Sequence, residues 1–316
     1  INMSGGQFLV GTGVTIGVAG IATFRTGRID VGDSLDNLSI GEAAGDAHTT
    51  GASNVAIGHK ALTANTTTSN SVAVGYKALE DNTGANNVAV GSQTLKENTT
   101  GTENVAIGRD ALEANTTASY NTGVGAYALT ANTTGANNTA VGRFALTTNT
   151  TGTRNVAIGD QALELNATTN YNTALGYSAL ENNIASENTA VGYKTLEANT
   201  TGTRNVAVGY NAGLLITTGS YNFAAGAEAL DKLTTGQQNV AIGQASLTEV
   251  VTSNYNTAVG SNTLVNNTAH DNTAFGARAL YTNSTGSANT GIGCSALYAN
   301  TTGENNTAIG INALKA

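Results

Sequence analysis

Asn54-Val55-Ala56-Ile57-Gly58 is a phrase that the chain repeats almost to its end. Its closing glycine recurs at 75, 91, 108, 125, 142, 159, 176, 192, 209, 226, 243, 260, 276, 293 and 310. Twelve of those fifteen intervals are 17 residues and three are 16, and a weaker copy, Asn37-Leu38-Ser39-Ile40-Gly41, stands 17 residues before the first. A period of 17 is too short for a helix pair or a propeller blade, which take roughly 34 to 45 residues. It suits one coil of a β-solenoid made of two short strands and two turns. Val, Ile and Thr fill the phrase while Gly, Asn and Thr fill the gaps, as strands and turns require. The expected fold is all-β, a parallel β-solenoid of about seventeen coils over residues 37–316. Residues 1–36 read as a Gly-rich β lead-in or cap.

The columns of the repeat assign themselves around the anchor glycine. The residue before it is apolar in all sixteen strong units, and the residue three before it is Val, Thr or, once, Phe223. These two positions share a face because strand side chains alternate. They are read as core: Val55, Ile57, Val88, Val90 and Ile107, with the anchors Gly58 and Gly91. Between them stand fourteen Ala and two Gly, so that opposite face approaches something closely. The anchor permits a backbone turn that other residues resist. Four residues on, Leu fills fifteen of sixteen units, including Leu62, Leu95 and Leu112, and Gly213 is the exception. A polar turn such as Asn132-Thr133-Thr134-Gly135 follows, and the 16-residue units lose their residue in or just after this turn.

Two asparagine columns run through the repeats. The first includes Asn54, Asn87, Asn104, Asn121 and Asn138, with Ser71 the one exception in sixteen. Stacked about 4.8 Å apart, such amides donate and accept along the column. The second, seven residues after the anchor, is Asn in twelve of fifteen units. Some of these asparagines lie in Asn-Xaa-Thr glycan-acceptor motifs, although turn chemistry already accounts for them. In three consecutive units the second column becomes Ile216, Leu233 and Val250. This reads as an apolar contact strip or as a widened core, the latter favoured because Gly213 vacates a Leu position beside it.

A single thin coil offers few large apolar side chains for the residues it orders. The Ala column therefore points to another chain packed along the axis, and a parallel homo-oligomer, a trimer, is expected. The phrase also resembles the repeat of YadA-like trimeric autotransporter heads. The fuller unit Asn172-Thr173-Ala174-Leu175-Gly176-Tyr177-Ser178-Ala179-Leu180 is similar to the repeats of phage and viral tail-fibre proteins, as is the stretch from Val10 to Phe24. The resemblance covers about nine-tenths of the chain. It implies left-handed β-rolls, a homotrimer, an extracellular or virion fibre and a host receptor or cell-surface glycan as partner. The autotransporter repeat is shorter, and neither a coiled-coil stalk nor the fibres' self-cleaving chaperone domain is seen in these 316 residues.

Composition narrows the function classes. With 13 Lys and Arg against 21 Asp and Glu, net charge −8, the chain is not built to hold nucleic acid. One Cys excludes a disulfide framework within the chain, and no apolar run is long enough to insert in a membrane. No cofactor, metal or catalytic residue is expected. Glu164, Glu181 and Glu197 stack in consecutive units and invite a Ca²⁺ reading, set against a solvated edge. Glu187 and Arg204 are expected to pair across units. His48, His59 and His270 share no spacing; Gly11-Thr12-Gly13 precedes no βαβ unit; Cys294 reads as an inert thiol. Tyr120, Tyr171, Tyr221 and Tyr255 are too irregularly spaced for a sugar-binding track. The expected function is a rigid structural or adhesive fibre segment presenting an attachment element. A head-to-tail extracellular filament is the alternative, and a Thr-array ice binder a minor one.

Overall fold

A computed structural model describes residues 35–315. The lead-in reading, with Gly11-Thr12-Gly13 and the Val10–Phe24 stretch, lies almost wholly outside them. Among the described residues the chain is a parallel β-solenoid with no helix. Seventeen three-residue strands, β1 (Leu38–Ile40) to β17 (Thr307–Ile309), form one parallel sheet in which each strand pairs with the strands of the preceding and following coils. Coil n is named for its strand βn. The pairing keeps register across a short unit, Val72 opposite Val88 and Val74 opposite Val90, just as it does across a 17-residue one. The missing residue comes out of the turn. Asn98 reaches the Gly101 carbonyl three residues on, whereas Asn82 reaches that of Gly84, Asn183 that of Ala185 and Asn267 that of Ala269, each two residues on.

Each coil has one strand, not the expected two. The segment around the Leu column is a turn in which two residues per coil take positive φ, for example Asp110 at 57° and Leu112 at 53°. Its backbone still bonds to the next coil, Leu112 N–H to the Ala128 carbonyl at 3.0 Å and Ala114 N–H to that of Thr130 at 3.0 Å. Left-handed leucine costs roughly 1–2 kcal/mol. Full burial of the side chain, which contributes about 1.5–3 kcal/mol, offsets it.

The core also differs in which strand face it uses. In every strand from β2 (Val55–Ile57) to β17 the middle residue is buried and neither flanking residue is. The Ala column therefore lines the interior of its own chain, against the Leu column. Val55, Ile57, Val88 and Val90 are half-exposed on the outer face, and Ile107 is 41% exposed. The space between strand and Leu turn admits only a methyl group. The larger branched side chains are turned out, while Leu62, Leu95 and Leu112 are fully buried as expected.

The two asparagine columns complete the interior. In coil 4 the amides of Asn87 and Asn98 both donate to the Gly101 carbonyl, at 2.8 and 2.9 Å, and so close the coil across its middle. Asn87 Oδ1 accepts the backbone N–H of Asn104 in the next coil at 2.9 Å. The same link joins Asn104 to Asn121, Asn121 to Asn138, and so on to Asn306, while Asn54 accepts from Ser71. Second-column amides donate to the preceding Oδ1, as Asn115 does to Asn98 at 2.7 Å. Because Asn98, Asn115, Asn132 and Asn149 are fully buried, the folded coil has no room for a glycan on them.

Candidate interaction surface

With Ala, Leu and Asn turned inward, the functional surface is what remains outside. The outer face of the sheet carries two side-chain columns, one before and one after each buried Ala. The column beside the anchor is an almost unbroken apolar row: Ile107, Val141, Ile158, Leu175, Val208, Ile242, Phe275 and Ile292 are all exposed, Leu175 at 44%. The other column mixes Val and Thr, with Phe223 in β12, and is mostly half-exposed. A Cβ on Gly58 would lie 2.4 Å from the Gly75 carbonyl oxygen, so successive glycines let the coils come together. Gly91 meets Gly108 in the same way at 2.6 Å.

Aromatic ladders border the sheet. Tyr177, Tyr193 and Tyr210 each follow an anchor in consecutive coils, and their rings stack at 5.4 and 5.5 Å. Tyr127 stacks on Phe144, His59 on Tyr76 and Tyr281 on Tyr298. Sequence reasoning missed these ladders, although the pairs Gly176-Tyr177, Gly192-Tyr193 and Gly209-Tyr210 carry the signal. The tyrosines it singled out, Tyr120, Tyr171, Tyr221 and Tyr255, stand exposed on another corner and do not meet one another. Tyr171 and Tyr221 are instead covered by guanidinium groups, Arg154 and Arg204, at 5.6 and 5.4 Å. Arg204 also pairs with Glu187, as expected, and that hydrogen bond with Tyr221 behind it raises the guanidinium pKa.

The remaining candidates do not converge. Glu164, Glu181 and Glu197 lie half-buried along one edge, Glu197 paired with Lys194 at 3.0 Å. No group of His, Cys, Asp and Glu among the described residues is arranged to hold a metal ion. His48 Nε2 lies 3.3 Å from the Asn65 amide at the head of the second column, His59 is 3.7 Å from Glu42, and His270 Nδ1 accepts the Asn254 N–H at 2.9 Å. Cys294 is an exposed free thiol. Ile216, Leu233 and Val250 are not a contact strip: each is at most 1% exposed. They widen the core beside Gly213, where an added Cβ would lie 3.0 Å from Ile216 Cδ1.

Among the described residues one titratable group has a strongly shifted pKa. Asp231 is pushed up to about 6, mainly by burial, with Lys232 opposing and Glu228 and Glu249 adding to the rise. Its Oδ1 is buried without a hydrogen-bond partner.

No protein-family model and no curated protein matches the chain.

Proposed function

We propose that this chain is a segment of a rigid multi-chain fibre, a β-solenoid shaft that associates with copies of itself and holds an attachment element away from a surface. The observation that carries the reading is the outer face of the sheet. Seventeen strands at about 4.8 Å make it roughly 80 Å long, and three residues at about 3.3 Å make it roughly 10 Å wide. A largely apolar face of about 800 Å² exceeds what a monomer ordinarily leaves in water and matches one side of a standard protein–protein interface. The coil's own core is already filled, so this face is free for a partner. The Ala column, in contrast, is spent inside the chain and forms no part of the interface. A trimer is the state we favour, supported by the likeness of the phrase to trimeric autotransporter heads. An extracellular or virion location and a glycan or receptor partner rest on the likeness to tail-fibre repeats.

The test is the solution mass of the 316-residue chain by light scattering, with negative-stain images of the same sample. A species near three times 31.7 kDa, seen as short rods, is expected. A stable monomer overturns the reading. Long filaments with helical order replace the finite shaft by a head-to-tail polymer.

A further inference from the structure

Coil 12 breaks the outer face in a paired way. In every other strand from β2 to β17 the residue beside the anchor is Val, Ile, Leu or Phe, and the residue at the other end is Val or Thr. In β12 (Phe223–Ala225) the sizes are exchanged: Phe223 stands where others have Val or Thr, and Ala225 where others have a large side chain. Both lie on the outer face, Phe223 39% exposed. In the neighbouring coils, Val208 and Ile242 remain large and exposed, so Ala225 is a notch in the apolar row. The one other phenylalanine on this face, Phe275 in β15 (Thr273–Phe275), is accompanied by Thr273. In both coils the phenylalanine shares its strand with a small outer-face residue, Ala225 or Thr273.

We infer that coil 12 sets the register of the assembly, Phe223 of one copy filling the notch over Ala225 of the next. The inference rests on the fibre reading above, and its occupant is a second copy of this chain. Symmetry supplies the geometry. Rotation about an axis along the solenoid, two-fold or three-fold, keeps equal coils level and brings the leading end of a strand against the trailing end of its neighbour's strand. Phenylalanine then meets alanine in coil 12, and Thr273 meets Phe275 in coil 15. A slip of one coil would instead set Phe223 against Val208 or Ile242, large against large. It would also turn a closed ring into an open, staggered assembly. Elsewhere the face is too uniform to tell one coil from the next, which is the condition under which strand register slips.

Two sets of variants of the full chain test it, with sedimentation equilibrium as the readout. Ala225→Ile fills the notch and Phe223→Thr empties the knob. Each is expected to raise the dissociation midpoint about tenfold or more, as loss of a buried interface anchor does. The double change Phe223→Thr with Ala225→Val restores the ordinary pattern and is expected to recover level pairing strength to within about threefold. Unaltered circular dichroism shows that the variants fold. For chain orientation, spin labels are placed singly at Ala126→Cys, Ala227→Cys and Ala277→Cys in a Cys294→Ser background. All three sites follow an anchor, in coils 6, 12 and 15. Level parallel packing gives the same interchain distance at all three, whereas antiparallel packing gives distances that change from site to site. An oligomeric wild type whose single variants associate as tightly as the double variant, or whose three distances differ, overturns the register role and leaves the fibre reading standing. A monomeric wild type overturns both.

Discussion

In coils 2 to 10 the interior corner after the Leu column is held by asparagines, from Asn65 to Asn199. In coils 11 to 13 the same corner holds Ile216, Leu233 and Val250, all buried. In the first stretch both asparagine columns reach one carbonyl in most coils, as Asn138 and Asn149 do at Gly152. In the second stretch only the first column remains, Asn205 to Gly219, Asn222 to Gly236 and Asn239 to the Ser253 carbonyl. The ladder ends visibly: Asn199 Oδ1 is buried with no partner, because the next coil offers Ile216 where an amide would donate. The first column thus closes the coil where the second is lost, as Asn82 alone does in coil 3 where the first column has Ser71, whereas the second position is a volume that either amides or hydrocarbon can fill, provided neighbours match. Gly213 is the matching change: Ile216 occupies space that a leucine would otherwise take.

The two kinds of glycine give the largest expected contrast. A Cβ on Gly159 would sit 2.3 Å from the Gly176 carbonyl oxygen, at φ 136°. Backbone of a stacked coil cannot yield locally, so Gly159→Ala is expected to cost more than about 3 kcal/mol. At Gly213, φ 61°, the nearest atoms are side-chain tips, Leu196 Cδ2 at 2.9 Å and Ile216 Cδ1 at 3.0 Å. Gly213→Ala is expected to cost about 1–2 kcal/mol. Chemical denaturation with hydrogen exchange resolved by coil compares them, and equal losses would refute the distinction.

The exchange between Gly213 and Ile216 predicts coupling. Ile216→Asn gives Asn199 Oδ1 a donor but opens a void beside Gly213, at a cost of about 2–4 kcal/mol. Gly213→Leu alone overpacks against Ile216 and costs about 1–3 kcal/mol. Together they rebuild an ordinary coil, so the double variant is expected to be at least about 1 kcal/mol better than the sum of the singles. Strict additivity in a double-mutant cycle would show that the two positions do not share one volume.

The Leu column sharpens the comparison further, because Gly213 shows what its backbone accepts. Leu112→Ala is expected to cost about 2–5 kcal/mol through the cavity it leaves. Leu112→Gly removes one more buried carbon, worth about 0.8 kcal/mol, but relieves a left-handed residue by about 1 kcal/mol. The two variants should therefore lie within about 0.5 kcal/mol of each other. A glycine variant weaker than the alanine variant by about 0.8 kcal/mol or more would mean that the positive φ carries no strain.

Much of this was legible in the residues. The recurring glycines fixed period, coil and parallel register, and the 16-residue units correctly placed the slack in the turn. The inside of the strand was misjudged because alternation says which side chains share a face, not which face is buried. Two cues pointed the right way: the interior position admitted nothing larger than Ala, while the outer position held by Val55 and Val88 becomes Thr139 or Thr173 in other units. Left-handed leucine was not legible at all, since a side chain that pays a local conformational cost for burial looks in sequence like any core residue. At Ile216, Leu233 and Val250 the vacated Leu position of Gly213 favoured a widened core over a contact strip, and the three side chains are buried, but residue types alone left the strip open. The choice depends on where the coil's third corner points, which the turn conformation decides.

Of the two carboxyls among the described residues whose pKa burial raises, the irregular stretch carries the more strongly shifted, the other being Glu113 in coil 5. Asp231, in coil 12, has its pKa raised to about 6 because burial disfavours the carboxylate. An acid whose folded pKa lies above its unfolded value binds its proton more tightly in the folded chain. Its contribution is therefore present below about pH 4, the unfolded range, and is lost as pH rises through about 6. Asparagine has the same shape and no charge to form. Asp231→Asn should leave stability unchanged near pH 4 and raise it above pH 6, by about 1 kcal/mol once solvent screening of a half-exposed group is allowed for. The ion pair of Lys232 with Glu249 on the same edge, at 2.7 Å, is left in place by the substitution. Thermal unfolding of wild type and variant at pH 4 and pH 7.5 measures it. A gap of the same size at both values would place the effect in packing and not in the proton, and coil 12 would then differ from the regular coils by volume alone.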